Sequence, residues 1–257
     1  MNENSVKISA VILTKNSEKT IEKCLKSLMW CDEVVVMDSF SIDRTLEIAK
    51  MYNCKIYQVE WKGFSEQRNI GAQKATNDWV FFVDSDEFVT EELANEIMNK
   101  LSTNKYYGYY VPMKNFMFGK WMKHCGLDMQ IHLRLYNRKY GRWTKDIHET
   151  VQLEGQVGYL KNPLLHYAYP TINSLVVKVN RYTDLEAMEL YKKGERFNFL
   201  NMTIESIGIF IYKYLIQGGF LDGYNGLIWS ISLSYYRFLK WMKLWELILS
   251  KKIDGWK

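Results

Sequence analysis

Proline is scarce in this sequence: 257 residues contain only three. So low a proline content argues against a linker-rich or disordered chain. Cysteine is also rare, because the chain has four scattered cysteines and no CxxC pair: Cys24, Cys31, Cys54 and Cys125. This spacing does not match a zinc site and predicts reduced thiols. The chain is therefore expected to fold around an ordinary hydrophobic core, without disulfides or structural zinc.

Long uncharged stretches are missing as well. The longest stretch without Lys, Arg, Asp, Glu or His covers residues 223–236 and contains 14 residues, whereas a helix needs about 20 apolar residues to cross a bilayer. The N-terminal residues MNENSVK are polar and do not resemble the apolar core of a secretory signal. The sequence therefore predicts no membrane-spanning helix and no export, and a cytoplasmic protein is expected.

Positive charge is concentrated near the C-terminus. The formal net charge is +5, and residues 171–257 contain 12 Lys or Arg against 8 Asp or Glu. A basic, aromatic-rich segment suits an anionic membrane surface or nucleic acid, although a solvated helical face has the same composition. Nucleic-acid binding is the weakest of these interpretations, because the basic residues interleave with apolar ones instead of forming a polar groove.

Strands alternate with helices through the first hundred residues. Apolar runs predict strands at 6–13, 33–37, 55–59 and 79–83, and helical spacing predicts helices at 17–29, 43–51, 65–75 and 90–101. This alternation is typical of a parallel sheet with right-handed crossovers. Ligands of such sheets bind outside the carboxyl ends of the strands. The functional residues are therefore expected in the segments that follow the strands: 14–17, 38–43, 63–68 and 84–87.

The pattern changes after about residue 105. Two further strands are predicted at 106–111 and 133–136, and a helix is predicted at 174–193. From 197 to 249 apolar helical stretches are interrupted by Gly218, Gly219 and Gly223. The chain is therefore expected to consist of an α/β domain and a helical C-terminal part.

An acidic cluster follows the fourth predicted strand in WVFFVDSDEF, residues 79–88. A calcium loop of the EF-hand type beginning at Asp84 would need Gly and Glu where Val89 and Asn95 stand. A Walker-B strand would require a GxxxxGK[ST] loop, which the sequence lacks. Three interpretations stay open at this point: a phosphatase-type nucleophile without visible partners, an acidic loop that caps the next helix, and a DxD motif. The DxD motif would hold a divalent cation on a nucleotide diphosphate.

The wider sequence resembles the family 2 glycosyltransferases of the GT-A fold, and more narrowly the lipopolysaccharide-core β-1,4-glucosyltransferases. The matching stretches are ISAVILTKN, IEKCLKSL, EVVVMDSFSIDRT, SEQRNIGAQKA, DWVFFVDSDEF, HLRLYNR, RWTKDIHE, LLHYAY and GGFLDGYNGL, which cover most of the chain in order. The resemblance implies an α/β fold with a GT-A sheet, the Rossmann-like sheet of nucleotide-diphospho-sugar transferases. It also implies a GT-A catalytic domain at residues 1–170 and an α-helical C-terminal extension at residues 171–257.

The resemblance further implies residues that bind the nucleotide-sugar donor. Thr14 and Asn16 correspond to the loop that touches the base and ribose, and Asp38 corresponds to an aspartate that contacts uridine. Many relatives carry a second aspartate next to Asp38, whereas this chain has Ser39. This departure weakens the case for a specific uracil contact, though not for nucleotide binding.

Other positions correspond to the diphosphate and metal site. Arg68 matches a basic residue near the diphosphate, and a guanidinium suits phosphate oxygens. Asp84 would contact ribose and metal, Asp86 would be the direct metal ligand, and His166 would complete the metal shell around Mg²⁺ or Mn²⁺. Arg134 and Arg142 could neutralise the leaving diphosphate, although the sequence does not separate them from surface arginines.

Transfer with inversion needs a general base on the side opposite the departing diphosphate. Among the acids after the DxD motif, namely Asp128, Asp146 and Glu149, the resemblance places Glu149 at the family's acidic catalytic motif. Asp146 is the alternative.

The C-terminal segment combines apolar helical spacing at positions 204, 207, 211 and 215 with tryptophans beside basic residues: Trp229, Trp241, Trp245, Arg237, Lys240 and Lys243. This pattern favours helices that lie in a bilayer interface. The alternative is packing on the catalytic domain or on a second subunit, which would make a homo-oligomer.

Together these features predict an inverting, metal-dependent glycosyltransferase that is peripheral on the cytoplasmic face of a membrane. It would move a hexose, most plausibly glucose from UDP-glucose, to a hydroxyl of a cell-envelope glycan or glycolipid such as lipopolysaccharide core. The alternatives are a nucleotidyltransferase and a membrane-associated, non-catalytic scaffold on a glycosyltransferase fold.

Overall fold

The computed structural model describes residues 6–103, 105–144 and 150–254, with side chains described as far as residue 250. The chain divides into two compact units. The first unit comprises Met1–Lys114 and Met129–His166, and the second comprises Asn115–Asp128 and Tyr167–Lys257. The predicted domain boundary at residue 170 stays a prediction.

The first hundred residues form the predicted alternation. The strands are β1 (Ile8–Thr14), β2 (Glu33–Asp38), β3 (Lys55–Gln58) and β4 (Trp79–Asp84), and the helices are α1 (Ile21–Lys26), α2 (Thr45–Lys50), α3 (Phe64–Lys74) and α4 (Glu91–Leu101). The four strands are parallel in the order β3-β2-β1-β4. All seven residues of β1 are buried. A strand buried on both faces reads as a continuous apolar run, which explains why β1 was predictable.

Eight further strands follow: β5 (Glu87–Phe88), β6 (Gly108–Met117), β7 (Lys120–Trp121), β8 (Gln130–Asn137), β9 (Gly141–Thr144), β10 (Thr150–Leu153), β11 (Val157–Tyr159) and β12 (Leu164–Tyr169). The main sheet continues from β4 in the order β8-β6-β12-β5, with β7 and β11 paired to β6. The β4–β8, β8–β6 and β12–β5 pairs are antiparallel. Strands β9 and β10 form a separate antiparallel pair.

The second unit is mainly helical. It contains α5 (Ile172–Lys192), α6 (Phe199–Ile211), a π-helical turn (Tyr212–Ile216), a 3₁₀ turn (Gly219–Asp222) and α7 (Tyr224–Asp254). Thr171 and Ser174 form a capping box at the start of α5. Gly218 has a φ of 66°, in the left-handed region that glycine adopts without steric cost. The predicted helix break at this position is confirmed.

The helical stretch Phe199–Ile216 is long and apolar enough to cross a membrane by length and composition alone. Its 18 residues have a mean hydropathy of 1.2, and only 11% of the stretch is buried. The expectation that no helix would meet this criterion was wrong. It rested on uncharged runs, whereas Glu205 and Lys213 interrupt this stretch.

Candidate active site

Polar side chains meet at the carboxyl ends of the parallel strands. Thr14 and Asp38 are register partners at the ends of β1 and β2, and the backbone N–H of Ser39 donates to the Thr14 carbonyl at 3.0 Å. The Thr14 hydroxyl oxygen is buried, and no described residue hydrogen bonds it. A buried hydroxyl without a partner is costly unless a ligand or water satisfies it.

The Asp38 carboxylate organises the loop that follows β2. It is fully buried and accepts hydrogen bonds from the Ser41 backbone N–H at 2.9 Å and from Gln58 Nε2 at 3.2 Å. The neighbouring Ser39 is also buried, and its hydroxyl accepts from Gln67 Nε2 at 3.0 Å. The position that departs from the family pattern is therefore filled by a small neutral side chain within a hydrogen-bond network.

Asn16 links the loops after β1 and β2. Its backbone N–H donates to the Ser41 hydroxyl at 2.8 Å, and its side-chain oxygen accepts from the Ile42 backbone N–H at 2.9 Å. Asn16 and Phe40 have positive φ values of 50° and 57°. Such values are uncommon for residues other than glycine, so these hydrogen bonds hold both loops in a defined conformation.

Three buried charged side chains form a network with the partly exposed Asp84 at the acidic motif. Arg68 Nη2 lies 3.1 Å from Asp84 Oδ1, and Arg134 Nη2 lies 3.3 Å from Asp84 Oδ2 and 2.8 Å from Glu87 Oε1. The other Glu87 oxygen accepts from the Asp84 backbone N–H at 2.7 Å. The Arg68 guanidinium lies 4.5 Å from the centre of the Trp143 ring, which positions its plane.

The charges of this network shift its acids in opposite directions. Burial opposes ionisation of Asp84, but Arg68 and Arg134 overcome it and hold the pKa of this carboxyl well below its usual range. Burial raises the pKa of Glu87, Arg134 opposes that shift, and the Asp84 charge adds to it. A pair of arginines from α3 and β8 therefore compensates the negative charge of Asp84 and Glu87.

Asp86 and His166 face each other and are both partly exposed. His166 Nε2 lies 3.7 Å from Asp86 Oδ1, and the two side chains are 22% and 24% exposed. The antiparallel pairing of β12 with β5 sets His166 opposite Glu87 and so brings the histidine to the motif. On the other side, the Ser85 hydroxyl hydrogen bonds that of Ser17 at 2.8 Å.

The donor set at this position fits a shared divalent cation but not a complete protein cage. Among the described residues no group of three or more His, Cys, Asp or Glu side chains could hold a metal ion. One carboxylate and one imidazole suffice when substrate phosphates and water supply the other ligands. Asp84, in contrast, faces the two guanidinium groups.

Not every predicted site residue lies in the described chain. Glu149 and Asp146 belong to residues 145–149, which lie outside the described residues. Asp128 belongs to the second unit, and Arg142 is exposed on β9. The predictions for Glu149 and Asp146 therefore stay predictions.

Three site residues were not singled out by the sequence interpretation. Glu87 is in the acidic motif but was given no role, Arg134 was not separated from surface arginines, and Trp143 was not considered. The signal available for Arg134 was its position between Leu133 and Leu135 in β8, because a lone arginine in an apolar strand needs an acidic partner.

The fold and this polar strand edge define an α/β protein with a ligand site at the carboxyl ends of its parallel strands. Residues 9–167 match the family described as Glycosyl transferase family 2. The chain therefore belongs to family 2 of the glycosyltransferases and is a glycosyltransferase, and its sheet and C-terminal helices have the GT-A type of fold that was predicted.

Relatives over nearly the whole chain agree with this family. An uncharacterized glycosyltransferase of Rickettsia typhi is 30% identical, with 96% of this chain and 89% of the relative covered. The lipopolysaccharide core biosynthesis glycosyltransferase LpsC of Rhizobium meliloti is 26% identical, with 93% and 92% covered. Among solved structures, Staphylococcus aureus TarS 1–349 in complex with UDP-GlcNAc aligns with a TM-score of 0.48 at 17% identity, covering 93% of this chain and 89% of that one.

Proposed function

We propose that this chain is an inverting, metal-dependent hexosyltransferase that uses a UDP-sugar, specifically UDP-glucose. The acceptor is a hydroxyl of a cell-envelope glycan or glycolipid such as lipopolysaccharide core. The similarity to LpsC supports the acceptor class. The observation that carries the proposal is the strand edge itself, where an unsatisfied buried Thr14 hydroxyl and the Asp86–His166 pair lie at the ends of parallel strands.

The donor would lie across the carboxyl ends of β1, β2 and β4. Thr14 and Asn16 would contact the base and ribose, and the loop ordered by Asp38 would supply the opposite wall. Arg68 would face the diphosphate, and Asp84 would orient Arg68 and reach the ribose. The strong depression of the Asp84 pKa keeps this carboxylate ionised near neutral pH, so the arginine stays in place.

A divalent cation, Mg²⁺ or Mn²⁺, would be held by Asp86 and His166, with Asp84 as the further ligand named from the sequence. When bound it would neutralise charge on the leaving diphosphate. His166 must be neutral at Nε2 to serve as a ligand.

The acceptor hydroxyl would lose its proton to Glu149, with Asp146 as the alternative base. A direct displacement needs one base and no covalent nucleophile, and it inverts the anomeric centre. The base would stand on the face of the sugar opposite the diphosphate.

Localisation follows from the proposed acceptor. A protein bound peripherally to the cytoplasmic face of a membrane would share a surface with a glycolipid. Homo-oligomerisation through the C-terminal helices is the alternative use of the apolar surface, and no role in nucleic-acid binding is proposed.

Donor turnover tests this function. Purified protein with Mn²⁺ is incubated with a panel of UDP-, GDP- and dTDP-sugars, and nucleotide release is measured with and without glycolipid extract. The variant Asp86→Ala is compared with Asp78→Ala, a matched change of an exposed acid that pairs with Lys139 on the surface. Release from UDP-glucose that EDTA and Asp86→Ala abolish, and Asp78→Ala does not, is the expected result. The absence of any metal-dependent nucleotide binding by calorimetry would refute the proposal and leave the scaffold interpretation.

A further inference from the structure

The outer side of α6 and of the π-helical turn that follows it is an apolar stripe that faces solvent. We name as the α6 face the five residues at helical spacing that are each between 44% and 67% exposed: Leu200, Ile204, Ile207, Ile211 and Leu215. A globular helix normally turns such a stripe inward. Here the inward side is formed by Met202 and Ser206, which are buried.

The apolar surface continues beyond α6. Large exposed side chains in the π-helical turn, the 3₁₀ turn and the start of α7 extend it: Tyr212, Ile216, Phe220, Leu221 and Tyr224. Exposed apolar patches of this extent mark sites that bind another protein or a membrane.

Both charged residues of the stretch Phe199–Ile216 make contacts with the rest of the second unit, although the Glu205 side chain is still 38% exposed. Glu205 accepts a hydrogen bond from Lys240 Nζ of α7 at 2.9 Å. Lys213 Nζ donates to the Cys125 carbonyl at 2.9 Å and to Gln217 Oε1 at 2.8 Å, and burial lowers its pKa. The other exposed residues between Thr203 and Ile216 are all uncharged.

We propose that the α6 face binds the surface of an anionic lipid bilayer, with α6 lying in the plane of the interface. This inference rests on the proposed function and deepens it by naming the partner of the second unit. Interfaces between two proteins generally contain about one hydrogen bond for each 100–200 Å². The α6 face offers only hydrocarbon over four turns, which suits acyl chains.

The flanking charge agrees with an anionic surface. Lys192, Lys193 and Arg196 precede α6 and are exposed, and the intervening Glu195 leaves this segment net positive. Basic residues beside an apolar helix attract anionic headgroups. Tyr212 and Tyr224 at the rim of the apolar surface are of the type that favours the headgroup level.

The contacts of α6 with α7 argue for an in-plane helix and against a spanning one. The Ser234 hydroxyl donates to the Ser206 carbonyl at 2.8 Å, and Lys240 is 6% exposed beside Glu205. A spanning α6 would carry this ion pair into hydrocarbon, where charged groups are strongly disfavoured. Of the tryptophan and lysine pattern that suggested a membrane role for α7, Trp241 and Lys240 are buried within the unit, whereas Trp245 is 42% exposed.

Vesicle binding tests the inference. The full chain is mixed with phosphatidylcholine vesicles that contain about 30% phosphatidylglycerol, and the bound fraction is measured by flotation. Ile207→Glu places a charge in the middle of the α6 face and is expected to weaken binding at least about tenfold. Met51→Glu, at the C-cap of α2 in the first unit, changes an apolar residue that is 69% exposed, against 55% for Ile207, and is expected to bind as the wild type does. Ile204→Ser serves as a milder second variant if Ile207→Glu fails to fold.

Several outcomes would overturn the inference. The wild type could fail to bind anionic vesicles, or Ile207→Glu could bind as tightly as Met51→Glu. Light scattering could instead show that the wild type is a dimer and that Ile207→Glu is a monomer. If Ile207→Glu then bound vesicles as the wild type does, the α6 face would be a contact with a second copy of the chain. Membrane-bound protein that resists alkaline carbonate extraction would contradict the in-plane arrangement. UDP binding is measured on the same samples. If the wild-type protein does not bind UDP, the proposed function is refuted, but the vesicle result still stands.

Discussion

Removing the Arg134 guanidinium should destabilise the first unit strongly. In Arg134→Met the aliphatic stem is kept, while Glu87, which is fully buried, loses the cation at 2.8 Å. Removing one partner of a buried ion pair generally costs about 3–5 kcal/mol, since a buried charge is left uncompensated. For a chain of this length about 3 kcal/mol corresponds to a fall in Tm of roughly 6–12 °C.

The matched control is Lys139→Met. Its partner Asp78 lies at 2.6 Å, but the two side chains are 63% and 44% exposed, and exposed pairs contribute about 0–1 kcal/mol. Urea unfolding followed by tryptophan fluorescence compares the two variants. If Arg134→Met loses no more stability than Lys139→Met, the buried ion pair contributes no more to folding than the exposed pair, and the prediction is refuted.

The same variant has a defined dependence on pH. Burial already raises the pKa of Glu87, and loss of Arg134 removes the opposing charge and raises it further. Between the pKa of Glu87 in the unfolded state and its higher pKa in the folded state, the folded state binds a proton that the unfolded state does not. The free energy of unfolding therefore falls as pH rises through this range. The defect of Arg134→Met should be larger at about pH 8 than at about pH 5. Adding Glu87→Gln should restore part of the stability at the higher pH, and a defect that is independent of pH would refute the electrostatic explanation.

Three further predictions concern ligand binding and turnover. Asp86→Asn and His166→Ala should each weaken binding of UDP in the presence of Mn²⁺ by about tenfold or more in calorimetry, with unchanged circular dichroism. Equal affinity for UDP with and without Mn²⁺ in the wild type would contradict the metal assignment. Arg68→Lys should weaken UDP binding about tenfold, because an ammonium lacks the planar fork that faces Asp84 and the aromatic ring beneath it; unchanged affinity would exclude a diphosphate role. Glu149→Gln should lower turnover by about 10²–10⁴ without changing the affinity for UDP, and an equal loss in Asp146→Asn alone would transfer the role of base to Asp146.

Much of the first unit could be predicted from the sequence because its buried strands consist mainly of apolar residues. Residues 8–14 and 79–84 are apolar runs with polar residues directly after them, and the edge rule for parallel sheets then placed the site. The predicted segments agree with β1 to β4 and α1 to α4 within a few residues. Strands β9 to β11 were not predicted, because short strands contain too few residues to show a period.

The sequence identified several residues of the site but not the ion pairs and hydrogen bonds between them. Asp84, Arg68 and His166 were named from the resemblance, yet their partners depend on pairing between distant segments. His166 reaches Asp86 because β12 pairs with β5, and Arg134 reaches Glu87 from β8, 47 residues further along the chain. Nothing in local sequence encodes such antiparallel pairings, which are set by how the whole sheet closes around its core.

The sequence by itself determined the family, through its motifs, and the alternation of parallel strands and helices in the first hundred residues, with the acidic motif at the end of β4, through local patterns of burial. Only the tertiary structure decided which charges face each other. It turned Arg134 from a surface candidate into a buried counter-ion, and it turned Glu205 and Lys213 toward the protein so that the α6 face is purely apolar. The physical reason is that a side chain's partner, and therefore its charge state and exposure, is set by distant segments that approach within a few ångströms.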